Sequence, residues 1–204
     1  MLRKTFIGSA VLTLVLAVNA AHAGVVFNSG TPDNVGDQIL VDSNDWLAGQ
    51  VTFSHGYQIS EIKAYLEDLG STGNAFSISL YSNTSANKVG KQLFTTDVTL
   101  SSNGWNGASN LSWTIDSGTY WVGVEVSDAQ GSSLDAPQYA NAGSFVRTAV
   151  ANGNGYTSYQ TATPYQFGLQ ISAAPVPEPT GVAMMLAGMA LVGSMVKRRN
   201  ANQV

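Results

Sequence analysis

The sequence predicts an all-β domain with a jelly-roll-like β-sandwich architecture. Three observations carry this expectation. Apolar and polar residues alternate with a period of two in several segments, Gly- and Asn-rich clusters separate those segments, and helical 3.6-residue spacing is scarce between residues 24 and 174. Ten segments follow in order as strand candidates: Gly24–Asn28, Gln38–Val41, Trp46–Ser54, Gln58–Leu66, Ala75–Ser82, Leu93–Leu100, Asn110–Ile115, Thr119–Ser127, Ser144–Val150 and Tyr165–Ser172. In the fifth, Phe76, Ile78 and Leu80 share one face, with Ser77, Ser79 and Ser82 among the polar residues between and after them. In the eighth, Tyr120, Val122, Val124 and Val126 form one face, while Trp121, Gly123 and Glu125 form the other. In the tenth, Phe167, Leu169 and Ile171 alternate with Gln166, Gly168 and Gln170. Turns are expected at 29–34, 70–74, 83–90, 103–109 and 152–155, where Gly, Asn, Ser and Pro gather. The link Asp116-Ser117-Gly118 joins two strong runs and predicts a hairpin. Polar, aromatic residues 153–163 without clear alternation predict a long loop. Many short strands with such punctuation favour a sandwich or jelly roll, with a closed barrel as the alternative.

Composition narrows the function. The chain has 204 residues, no Cys and two His, and only 11% of it is charged, against about 25% in typical soluble domains. Without Cys there is no disulfide framework, cysteine nucleophile or Cys-ligated metal in this chain. Formal net charge is −4, but residues 24–174 hold four basic and twelve acidic residues, giving 4 − 12 = −8, while both ends are basic. That acidity excludes a nucleic-acid surface, which needs clustered Lys and Arg.

The ends read as addresses. Arg3 and Lys4 precede a 13-residue, largely apolar run from Phe6 to Val18, and Ala21-His22-Ala23 supplies the small residues of a cleavage site. Residues 1–23 therefore read as a secretory signal peptide cut after Ala23 by signal peptidase. At the other end, Val176-Pro177-Glu178-Pro179-Thr180 is followed by 16 uncharged residues, Gly181–Val196, and then by Lys197, Arg198 and Arg199. As a helix the stretch spans about 24 Å, and snorkelling basic side chains extend its reach. By the positive-inside rule the basic cluster is a cytoplasmic stop, with residues 24–174 on the opposite side. On these grounds alone the tail, residues 175–204, is a C-terminal membrane anchor.

Motif, short apolar span and Arg-rich end, in that order, resemble the PEP-CTERM sorting signal. The resemblance implies that the chain is a substrate of an exosortase, a membrane-embedded cysteine transpeptidase-like enzyme. It implies removal of the tail and delivery to the cell surface or exopolysaccharide matrix of a Gram-negative-type bacterium. The stretches Phe76–Asn83 (FSISLYSN) and Gly118–Val126 (GTYWVGVEV) are also similar to domains found in front of such tails. Those domains resemble jelly-roll, carbohydrate-binding-like sandwiches.

Chemistry inside residues 24–174 is sparse. A Ser-His-Asp hydrolase needs a histidine shuttle, and His55, the one left after signal cleavage, stands at a strand end with no nucleophile signature nearby. Glu61, Glu67, Asp68, Asp97, Asp116 and Glu125 lie on or near strands, where outward, solvated positions are the ordinary reading for acids. Asp33, Asp37, Asp42 and Asp45 form the densest acidic stretch and are the candidates for a structural calcium ion, without EF-hand spacing. No other cofactor is expected. Trp46, Trp105, Trp113 and Trp121, with Tyr139, Tyr156, Tyr159 and Tyr165, offer rings for stacking on sugars. Trp121 is the expected exposed candidate, because its neighbours point to the other face, and Trp105 is expected in a Gly/Asn loop. The reading is a non-enzymatic surface or matrix protein. A surface-displayed carbohydrate-binding module is the alternative, and a secreted glycan-active enzyme is a third.

Overall fold

A computed structural model describes residues 22–32, 38–70, 75–127, 132–137, 145, 147–152, 155–161, 166–176 and 186–192. Twelve strands are described: β1 (Gly24–Asn28), β2 (Gln38–Val41), β3 (Leu47–Phe53), β4 (Tyr57–Asp68), β5 (Ala75–Asn83), β6 (Val89–Thr99), β7 (Gly104–Ile115), β8 (Gly118–Glu125), β9 (Leu134–Pro137), β10 (Arg147–Ala151), β11 (Tyr156–Thr161) and β12 (Leu169–Pro175). Among the described residues, 186–192 are helical and are labelled α1. The all-β expectation holds for the domain.

The strands form two six-stranded sheets. The first runs β1-β12-β4-β9-β2, with β7 pairing β4, and the second runs β11-β10-β3-β8-β5-β6; every pairing is antiparallel. Only the connections β1–β2, β5–β6 and β10–β11 stay within a sheet, and each of the others passes from one sheet to the other. Period-two alternation makes this work, because each strand offers one apolar face. Ile59, Ile62, Leu66, Leu169 and Ile171 of the first sheet share one buried cluster with Phe76, Ile78, Leu80, Val122 and Val124 of the second. Phe145 joins it, stacked on Phe167 at 4.8 Å between ring centroids. Gly49 leaves the space that the Phe145 ring fills.

Three expectations change. The Asp116-Ser117-Gly118 link is no hairpin, since β7 pairs with β4 and β8 with β3 and β5. Tight two-residue hairpins need positive φ at the first loop residue, and neither Asp116 nor Ser117 has it. The link is a corner between sheets. Residues 104–109, expected as a turn, are the first half of β7, and Gly107 lies so close to the Ile62 carbonyl and Lys63 backbone that a Cβ has no room. Asn106 holds the preceding turn from inside the strand, accepting from the Ser101 backbone N–H at 2.8 Å and donating to the Ser102 carbonyl at 2.7 Å. Residues 156–161, expected within a loop, form β11, and β9 is a strand that the alternation did not mark.

Candidate functional site

The outward side of the second sheet carries an aromatic layer. Along β8, Val122 and Val124 turn to the shared core, so Trp121, Gly123 and Glu125 project the other way. Trp121 nevertheless has 0% exposure. It packs with Ala48 and Ala149, whose small side chains make room for it, and Tyr81, Val89, Tyr156 and Tyr159 close over the cluster. The Trp121 indole N–H donates to Asn83 Oδ1 at 2.8 Å, and Tyr159 meets the ring edge-on at 5.8 Å. The expected exposure of Trp121 is thus corrected: both faces of β8 are covered, and this ring has no free face for a ligand.

Glu125 anchors the layer. The residue is 8% exposed, and its carboxylate accepts from Ser79 Oγ at 2.9 Å and from the hydroxyls of Tyr81 and Tyr156, both at 2.7 Å. Burial, and after it the Glu125 charge, raise the Tyr81 and Tyr156 hydroxyls above their ordinary value, so both stay protonated donors. Gly123 leaves room for this arrangement, because a Cβ would displace the Tyr156 hydroxyl and Glu125 Oε1.

Between the rings lies an open cavity of about 260 Å³, lined by Trp46, Tyr81, Tyr156 and Tyr159 with Gly90 and Gly155. Trp46 meets Tyr156 edge-on at 6.1 Å, and its indole N–H is held by the Val126 carbonyl at 2.8 Å. Lys88 Nζ sits 5.6 Å from the Tyr159 ring centroid, a favourable placement of a cation over a π face. Neither protein-family models nor curated protein sequences match the chain.

The remaining candidates fall elsewhere. Trp105 is on β7 rather than in a loop, half-buried and edge-on to Tyr65 at 5.7 Å on the first sheet. Trp105 and Trp121 are therefore on different sheets and share no site. Trp113 is core, stacked on Phe94 at 5.3 Å. Tyr139 and Tyr165 lie outside the described residues, as do Asp33 and Asp37. Asp42 caps a turn, accepting from the backbone N–H of Asn44 at 2.7 Å and of Asp45 at 3.0 Å. Among the described residues no three His, Asp or Glu side chains are grouped to hold a metal. His55 is exposed at the bend after β3, with Tyr57 as its ring neighbour at 6.5 Å. Glu61 is paired with Lys63 at 2.7 Å. Of the aromatic list, the structure brings Trp46, Trp121, Tyr156 and Tyr159 together, with Trp121 buried beneath the tyrosines. Tyr81 was missed, although its place one residue past Leu80 in an alternating strand puts it on the outward face.

At the C-terminal end, Val176 donates its backbone N–H to the Gly56 carbonyl at 2.9 Å and closes the domain's hydrogen bonding. Pro177, Glu178, Pro179, Thr180, Lys197, Arg198 and Arg199 lie outside the described residues, as does Ala21; Ala23 is exposed just before β1. In α1, Leu186, Leu191 and Val192 are 58–60% exposed. Among the described residues no helix is long and apolar enough to cross a membrane.

Proposed function

We propose that this chain is an exported, exosortase-sorted surface or exopolysaccharide-matrix protein whose domain is a non-catalytic, jelly-roll-like β-sandwich. The Val176–Thr180 motif, followed by an apolar stretch and the Lys197–Arg199 cluster, carries the reading. Two structural features support it. The motif begins where the last strand ends, and the apolar residues of α1 stand exposed, as a segment destined for a hydrophobic environment would. The repeated passage of the chain between two antiparallel sheets around one core supports the sandwich. Signal peptidase and exosortase are the processing partners. The mature chain runs from the inner-membrane intermediate to the surface or matrix.

Replacing Pro177, Glu178 and Pro179 together by alanine should leave export intact and block tail removal. The check is the mass and membrane association of the product in a host that encodes an exosortase. Normal processing of the triple variant overturns the sorting reading.

The aromatic cavity favours a second reading, a carbohydrate-binding module displayed at the surface. Amphipathic rings at a concave, partly polar site suit stacking on sugar faces, and the cavity's modest volume suits one or two rings. Trp46→Ala should weaken retention of the domain on the host's own exopolysaccharide by roughly tenfold, about 1.4 kcal/mol. Trp105→Ala, on the other sheet, should leave retention unchanged. Equal retention of both variants, with folding verified by circular dichroism, removes this reading.

A further inference from the structure

We propose that Asp135 and Glu67 hold a divalent cation of the calcium class on the outward face of the first sheet. Asp135 lies on β9, where Leu134 and Ala136 on either side belong to the shared core. Strand alternation therefore sends Asp135 to the opposite face. Glu67 of β4 is its register partner on one side and Leu40 of β2 on the other. Leu66, beside Glu67, is also core, so the two carboxylates leave the sheet on the same side.

Asp135 is 1% exposed, and neither of its carboxylate oxygens has a hydrogen-bond partner. A buried carboxylate left in this state costs free energy on a scale that proteins avoid. Among the described residues no basic side chain relieves it. Of the four in residues 24–174, Lys63 is bound to Glu61 at 2.7 Å, Lys88 sits over Tyr159, and Lys91 and Arg147 lie on β6 and β10 of the second sheet. Among the described residues the two acids face each other with no counter-charge beside them, so the charged form of Asp135 calls for a cation from solution.

The ligand chemistry indicates which cation. Both side chains are hard oxygen donors, the chain has no Cys, and His55 stands before the start of β4, at the opposite end of that strand from Glu67. Calcium accepts carboxylates together with main-chain and water oxygens in flexible geometry, whereas zinc favours nitrogen and sulfur. With two acids at the site, the affinity should fall in the ~0.1–1 mM range of weakly charged modules.

Burial, and after it the Glu67 charge, push the Asp135 carboxyl up to about 6. Without metal, the folded chain then keeps a proton that the unfolded chain releases between about pH 4 and 6. The unfolded state binds fewer protons there, so metal-free stability falls as pH rises through that window. Calcium needs the anion and competes with this proton, so its effect should be larger at pH 7.5 than at pH 5.

The test uses the full chain in mild detergent, stripped with chelator, with thermal unfolding followed by near-ultraviolet circular dichroism. Adding CaCl2 to 10 mM at pH 7.5 should raise the midpoint by about 5 °C, climbing with the logarithm of calcium concentration above the dissociation constant, and NaCl at matched ionic strength should not. Asp135→Asn should abolish the response, and Glu67→Gln, at a half-buried position, should weaken it severalfold. A midpoint that does not move, a rise matched by NaCl, or an Asp135→Asn variant that responds like the parent overturns the proposal. If Asp135→Asn does not fold, Glu67→Gln decides: a full response in that variant overturns it.

Discussion

Trp121→Ala should cost the domain about 3–5 kcal/mol, the usual range for truncating a buried Trp. The ring has 0% exposure and fills the space between Ala48, Ala149, Tyr81 and Tyr159. Its indole N–H donates to Asn83, which also accepts from Gln50 Nε2 at 3.1 Å, so truncation removes one of two donors from that carbonyl. Small neighbours make matters worse, because alanines have no side-chain atoms with which to collapse into the hole. Urea unfolding of a fragment covering residues 24–176 measures the loss through the midpoint at unchanged slope. A cost under about 1 kcal/mol would mean that the ring is not buried as described.

Glu125→Leu should cost about 3 kcal/mol by a different route. Leucine fills the volume but leaves the Ser79, Tyr81 and Tyr156 hydroxyls without the acceptor they share. Glu125→Gln keeps an acceptor oxygen and should cost about 1 kcal/mol. The glutamine variant also removes the charge that helps hold both tyrosines protonated, so Tyr81 and Tyr156 should ionise at lower pH than in the parent. The sign for stability follows from the raised tyrosine values. Above the ordinary value of 10.0 the unfolded chain loses protons that the fold retains, so stability declines as pH rises beyond about 10. Ultraviolet titration of tyrosine with and without Glu125 reads the shift directly. Identical titration curves would show that the carboxylate does not face these hydroxyls.

The strands most legible in the sequence are those with one buried and one wet face. Phe76, Ile78 and Leu80 announce β5 because alternation reports a half-buried strand directly. A strand of only a few residues leaves too short a trace. β9 has four residues and ends in Pro137, so its apolar–polar–apolar run Leu134-Asp135-Ala136 is too brief to stand out. In β7, Gly107 and Asn106 look like turn residues, yet one is demanded by backbone contact with β4 and the other caps the turn before it. The candidate site was half legible. Period two assigns Trp121 and Glu125 to a common face but cannot say whether anything lies on it. The cover comes from Tyr156 and Tyr159 on β11, more than 30 positions away, which a local pattern does not connect to β8.

The last strand has a mechanical consequence. β12 lies between β1 and β4, with backbone ladders on both flanks, and Val176 adds one more bond to Gly56. A pull applied from the tail therefore loads a strand that can leave only by breaking two ladders together. A pull applied at Gly24 loads β1, which among the described residues has β12 as its one sheet neighbour and can peel away one pair at a time. The two ends of the domain therefore differ in how they yield to a pull: the C-terminal strand gives way all at once and the N-terminal strand step by step.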